Sequence, residues 1–188
     1  LAEGCRKTVA EAHASFRYHD LARSEQVIRR EELSSGIQRE VAQYLAEVSE
    51  SQLSRMDAIR LEVLQTAASG LVRIGELGER LRDLAARKIE EKIGAAEDVD
   101  KDLNEAYDLV MAQFANILTL LRQRDAKTEE NAVKMVERLA KFSSRIEGEW
   151  RRRLESPEAP ASPIAIYLQA VIYQEAFDLL FRFAAQLA

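Results

Sequence analysis

The 188-residue sequence contains two histidines, one cysteine, three prolines and seven glycines. Each shortage removes a class of protein. A single cysteine, Cys5, cannot pair within the chain, so there is no disulfide framework and a reducing compartment is expected. Its spacing places it on an apolar stripe with Val9, Ala12 and Phe16, where it acts as a small buried hydrophobe. The two histidines, His13 and His19, fall where the pattern is polar or turning. The sequence has no HExxH, CxxC or GxSxG and no glycine-rich phosphate loop following a strand. Serine, cysteine and lysine nucleophiles lack an obvious base partner. These absences argue against an enzyme.

Few breakers in a chain that is 47% hydrophobic point to a globular, all-α protein. The formal net charge of -5 argues against nucleic acid as a partner, because an acidic surface repels phosphate backbones. No signal peptide is apparent. The most apolar run, Ile164 to Ala188, is interrupted by Gln169, Gln174, Glu175, Asp178, Arg182 and Gln186. It is expected to be an amphipathic core helix rather than a membrane span. The chain begins at Leu1, without an initiator Met, which points to a fragment of a longer protein or a trimmed terminus.

Apolar spacing predicts six helices. The first covers about Ala2 to Tyr18. The second covers about Leu21 to Glu50, with Ile28, Ile37, Val41 and Leu45 at helical spacing. The third starts near Ser51, read as its N-cap, and continues through Met56, Val63, Ala67, Ile74, Leu81 and Leu84 to about Ile93. A loop, GAAEDVD, follows. The fourth spans about Lys101 to Arg124, with Leu103, Tyr107, Val110, Phe114, Ile117 and Leu121 facing inward. The fifth spans about Ala126 to Glu155. The proline-rich SPEAPASP is a loop, and the sixth helix fills Pro163 to Leu187, with Pro163 in its first turn. The third helix carries GLVRIGELGERL, Gly70 to Leu81. Its three glycines each cost about 0.8–1 kcal/mol against alanine in a helix interior, so some local demand for space is expected.

The two halves look alike. Asp20 and Asp125 each end one helix and start a longer one. Adding 105 maps Ile28, Ile37, Val41 and Leu45 onto Val133, Phe142, Ile146 and Trp150. A repeat of this length is too long for a solenoid unit and fits two tandem three-helix bundles packed as one elongated unit, residues 1–94 and 99–188. The charge runs EELSSGIQRE and KTEENAVKMVER read as solvated faces. The basic run EWRRRLES reads as a helix C-terminus favoured by the macrodipole. Contact of Arg151, Arg152 and Arg153 with acidic lipid headgroups is the sharper alternative.

The order of motifs resembles a known family. QVIRREELSSGIQREVAQYLAEVSESQLS (Gln26 to Ser54) precedes GLVRIGEL (Gly70 to Leu77). In the second half SRIEGEWRRRLES precedes Ser162-Pro163 and Ile166-Tyr167-Leu168. Together these resemble a PhoU-like domain, most of all the version at the cytoplasmic C-terminus of bacterial Na/Pi cotransporter-family membrane proteins. The resemblance covers nearly the whole chain. The Tyr-Leu…Ser-Gln-Leu-Ser and Arg-Ile-Gly pieces are its most specific parts.

The resemblance implies two tandem three-helix bundles and a non-enzymatic role in phosphate homeostasis. It places the domain on the cytoplasmic side of the membrane, acting on a transporter core in the same or a partner chain, with a homodimer as a further expectation. It also implies an E/D-x-x-x-D motif on the third helix of each bundle, which can bind metal because one turn brings two carboxylates to one face. Here Val72 replaces the first acid and Glu76 remains, while Gly70 replaces a preceding aspartate. In the second half Glu175 matches, its i+4 partner is Leu179, and Asp178 lies one residue away. Glu76, Glu175 and Asp178 are thus the candidate metal ligands of a degenerate motif, and no resident cofactor is expected. The alternatives are a stand-alone PhoU-type adaptor binding a phosphate ABC transporter and a sensor kinase, a metal-dependent bundle enzyme using those three carboxylates, and a generic helical interaction module.

Overall fold

Six helices account for every regular element among the described residues. They are α1 (Ala2–Tyr18), α2 (Leu21–Ser49), α3 (Arg55–Glu90), α4 (Glu97–Arg122), α5 (Ala126–Leu154) and α6 (Ser162–Leu187). The structure is a computed structural model, and it describes residues 1–18, 20–92, 97–123, 126–154 and 162–187. His19, the first residues of GAAEDVD and most of SPEAPASP lie outside this set, as do the side chains of Ile146, Trp150, Arg151, Arg152 and Arg153.

The helix starts follow local chemistry. Asp20 caps α2, its carboxylate accepting the Ala22 N–H at 3.0 Å. Ser54, not Ser51, caps α3: its Oγ accepts the Asp57 N–H at 3.2 Å and donates to the Asp57 carboxylate. That exchange ties the cap to an acid in the first turn, where the helix dipole favours negative charge. Ser51 instead belongs to the preceding turn, its N–H donating to the Val48 carbonyl. α3 ends where Lys92 adopts a left-handed φ of 52°, a conformation that terminates helices. α4 begins at Glu97 rather than near Lys101, so the second half of GAAEDVD is its first turn, again acidic at the positive end of the dipole.

α1, α2 and α3 pack on one another, and α4, α5 and α6 do the same. The two sets meet through α3 against α6 and α1 against α4. One continuous apolar core runs through both. It takes Cys5, Val9, Ala12 and Phe16 from α1, Leu71, Ile74 and Leu81 from α3, Val110, Phe114 and Ile117 from α4, and Tyr173, Phe177 and Leu180 from α6. α2 and α5 lie outside this central layer, and among the described residues each touches its own bundle. Their bounds are offset by 105 residues at both ends, the same interval as the repeat in the sequence.

The outer position of α2 explains where its predicted apolar face departs from the structure. Ile28 and Ile37 are 43% and 41% exposed, while Val27 is buried. Met56 on α3 and Leu121 on α4 are also exposed, and Leu120 takes the inward place expected of Leu121. α1 runs along α3 from Leu71, whose carbonyl accepts from Cys5 Sγ at 3.1 Å, to Lys88, whose Nζ donates to the Phe16 carbonyl. At 1.5 Å per residue α3 is about 54 Å long and α1 about 26 Å. The first part of α3 and the end of α2 therefore extend past α1 as a two-helix hairpin.

Two of the glycines are demanded by close approach. A Cβ at Gly78 would lie 2.8 Å from Thr8 Cγ2, and one at Gly4 would lie 2.9 Å from Ser34 Oγ. Gly78 lets α1 cross α3, and Gly4 lets α1 cross α2. A Cβ at Gly70 or Gly75 would meet nothing within 4 Å, so packing explains only one glycine of GLVRIGELGERL.

Candidate functional site

The carboxylates singled out by sequence sit around α3 and α6. Arg73 and Arg80 are seven residues apart and share one face of α3. Both reach Glu175 on α6, with Arg73 Nη2 3.1 Å from Oε1 and Arg80 Nη1 3.3 Å from Oε2. All three side chains are partly solvated, so each bridge contributes at most about 1 kcal/mol. They tie α3 of one bundle to α6 of the other. Glu76 lines a cavity of about 230 Å³ between α1, α2 and α3, beside Ser34, Gln38, Val72 and the bare backbone of Gly75. Asp178 lies further along α6, where partial burial pushes its carboxyl pKa up against the opposing effect of Arg182.

Among the described residues no three His, Cys, Asp or Glu side chains are grouped to hold a metal ion. A hard cation takes about six oxygens, and the structure offers Glu175 two guanidiniums instead. The residues present do not fit a metal cluster as placed.

The Cys5 thiol is buried, and desolvation raises its pKa to about 11. It therefore stays protonated and inert near neutrality. Lys88 is also buried, its Nζ 4.2 Å from the centre of the Phe16 ring and donating to the Phe16 carbonyl in the last turn of α1. It acts as a cationic cap on that helix end, and burial lowers its pKa.

The buried polar centre of the molecule is one that sequence reasoning missed. His13 is 6% exposed, contrary to its reading as a polar or turning position. Its ring stacks on Tyr107 of α4 with centroids 3.9 Å apart and planes 7° from parallel. Its Nδ1 lies 2.5 Å from the hydroxyl of Tyr173 on α6. Three helices from both bundles thus meet at one imidazole. Desolvation, then the Arg17 charge, lowers the His13 pKa to about 4, with an Asn104 hydrogen bond opposing and the Lys88 charge adding to the effect. The ring is neutral at pH 7, and its tautomer sets which partner donates in the His13–Tyr173 hydrogen bond. A signal was present in the sequence: His13 lies four residues after Val9 and three before Phe16, on the same stripe as Cys5.

The arrangement is one of joints between helices, with polar groups engaged across the two bundles. No family model matches the chain, and no curated protein matches it. A solved structure does. The crystal structure of PhoU from Pseudomonas aeruginosa aligns with a TM-score of 0.89, over 99% of this chain and 89% of that one, at 15% sequence identity. The fold is that of PhoU. At this identity the likeness is one of architecture: six helices in two three-helix bundles, as the repeat of 105 residues implies. Among the described residues, no helix is long and apolar enough to cross a membrane.

Proposed function

We propose that the chain is a non-enzymatic, PhoU-type regulatory domain in phosphate homeostasis, working as the cytoplasmic part of a sodium-dependent phosphate (Na/Pi) cotransporter-type membrane protein. The PhoU fold over 99% of the chain carries the reading. The Ser-Gln-Leu-Ser turn at the tip of the α2–α3 hairpin and Arg73-Ile74-Gly75 on α3 direct it toward the transporter-associated version. The ionisable groups at the centre of the molecule support a binding role over chemistry: Cys5 is held protonated, His13 is held neutral, and Glu175 is engaged by Arg73 and Arg80.

The domain would act by holding a membrane-embedded transporter core in a state that passes or withholds phosphate. A metal role for Glu76, Glu175 and Asp178 would require Arg73 and Arg80 to release Glu175. Sodium-driven phosphate uptake into cells tests the reading, comparing the transporter core alone with the core plus residues 1–188. Uptake is expected to change severalfold in rate or in its response to internal phosphate. Identical uptake would refute the assignment. The stand-alone adaptor reading keeps the same fold, but the degenerate acidic motif counts against it, and recovery of a phosphate ABC transporter and a sensor kinase with the chain would favour it.

A further inference from the structure

A groove of about 720 Å³ lies between α4 and α5 on the second bundle, away from the carboxylates of α3 and α6. Its volume falls in the range of small-molecule sites. The floor is apolar, formed by Leu109 and Ala112 of α4 with Met135 and Phe142 of α5. Phe142 and Met135 are themselves packed into the core, at 4% and 9% exposure, so the floor is firm. Arg145 lines one end and bridges to Asp102 at 3.0 Å and to Glu105 at 2.6 Å. From that end to the level of Ala112 and Arg138 the groove runs seven residues, about 10 Å.

The two walls are opposite in charge. Arg145 is held by two carboxylates, Asp102 and Glu105. That leaves Asp108 on the α4 side facing Arg138 and Lys141 on the α5 side. Among the described residues neither Arg138 nor Lys141 makes an ion pair or hydrogen bond, and both are exposed. The charges around the groove balance overall, but away from the Arg145 end two cations, Arg138 and Lys141, face the single carboxylate of Asp108 above an apolar bed.

The two repeats carry different residues at this place. In the first bundle Gly4 brings α1 so close to α2 that a Cβ would lie 2.9 Å from Ser34 Oγ. Adding 105 to Gly4 gives Leu109. A leucine cannot repeat that approach, and the Leu109 side chain lines the groove.

We infer that the α4–α5 groove is a binding site for a small amphipathic monoanion, with an apolar body on Leu109, Ala112, Met135 and Phe142 and one anionic head between Arg138 and Lys141. Isothermal titration calorimetry with decanoate, with decyl phosphate and with inorganic phosphate tests this on the whole chain. Saturable binding at one site per chain is expected for the ligands with an acyl or alkyl body. The tighter of the two identifies a carboxylate or a phosphate head, and inorganic phosphate is expected to bind at least tenfold more weakly than either. Ala112 is exposed, and Ala112→Trp is expected to fill the groove and abolish binding with the helical circular dichroism spectrum unchanged. The double variant Arg138→Glu, Lys141→Glu, at two surface positions, is expected to weaken binding at least tenfold. Arg60→Glu, on α3, is expected to leave it unchanged. Absence of saturable binding by both amphipathic ligands would overturn the inference. So would affinity unmoved by the charge reversal, or inorganic phosphate binding as tightly as the ligands with a body.

Discussion

Between pH 7 and pH 4 the protein is expected to lose about 3 kcal/mol of stability through His13 alone. The imidazole has a folded-state pKa of about 4 against 6.5 when unfolded. Above pH 6.5 neither state binds the proton, and His13 makes no difference. Between 6.5 and 4 the unfolded chain binds a proton that the folded chain refuses, so stability falls as pH falls. Below 4 both states are protonated and the loss levels off. At about 1.4 kcal/mol per tenfold in proton affinity, the gap gives the figure of ~3 kcal/mol. Physically, the folded state would have to place a cation in a buried site beside Tyr107 and near Arg17 and Lys88.

Urea unfolding of the wild type and of His13→Phe at several pH values isolates the effect. Phenylalanine keeps a ring for the Tyr107 stack and removes the titration. The stability of the wild type relative to the variant is expected to fall as pH drops through this window. Surface groups such as Glu3, whose pKa is held down by Arg6, are common to both proteins and cancel. A difference independent of pH would show that His13 is solvated, and the three-helix joint would be misplaced.

Gly78→Val is expected to destabilise the fold by about 2 kcal/mol, within the range for overpacked sites. The first added carbon already falls 2.8 Å from Thr8 Cγ2, and 3.7 Å from the Thr8 backbone. The modest gain in helix propensity over glycine, a few tenths of a kcal/mol, does not offset this. Gly70→Ala is the opposite case. Nothing lies within 4 Å of its Cβ, so a gain of roughly 0.5–1 kcal/mol is expected from propensity and from the less flexible unfolded chain. Midpoints of urea unfolding at pH 7, with unchanged m-values, measure both. Adding Thr8→Ala to Gly78→Val is expected to recover part of the loss, since it removes the methyl that is struck. Equal effects at positions 70 and 78 would mean that α1 does not cross α3 at Thr8.

The number, type and order of helices were legible because apolar residues recur at helical spacing and Gly and Pro are few. Asp20 was recognisable as a boundary, since its side chain can cap the helix that follows. The start of α3 was misplaced by three residues because two serines compete there. Ser54 wins through Asp57, three residues on. The early start of α4 was written in the acidic pair Glu97-Asp98, which suits a first turn, but a stretch rich in Gly, Ala and acids also suits a loop.

Ile28 and Ile37 lay on a correctly spaced stripe, yet among the described residues α2 has neighbours only within its own bundle, and the stripe alone does not say how wide the buried face is. Glu175 was picked out by sequence, but Arg73 and Arg80 lie 102 and 95 residues away. No local pattern announces that partnership. His13 is the clearest loss: a histidine on an apolar stripe needs a buried partner, and Tyr173 is 160 residues distant.

Binding to a membrane-embedded transporter core is the central functional claim, and affinity purification tests it most directly. The tagged chain, incubated with detergent-solubilised cell membranes and recovered under mild salt, is expected to bring down a sodium-dependent phosphate transporter core in a near-stoichiometric amount. Recovery of a phosphate ABC transporter with a sensor kinase, in place of that core, would contradict the account and establish the adaptor reading.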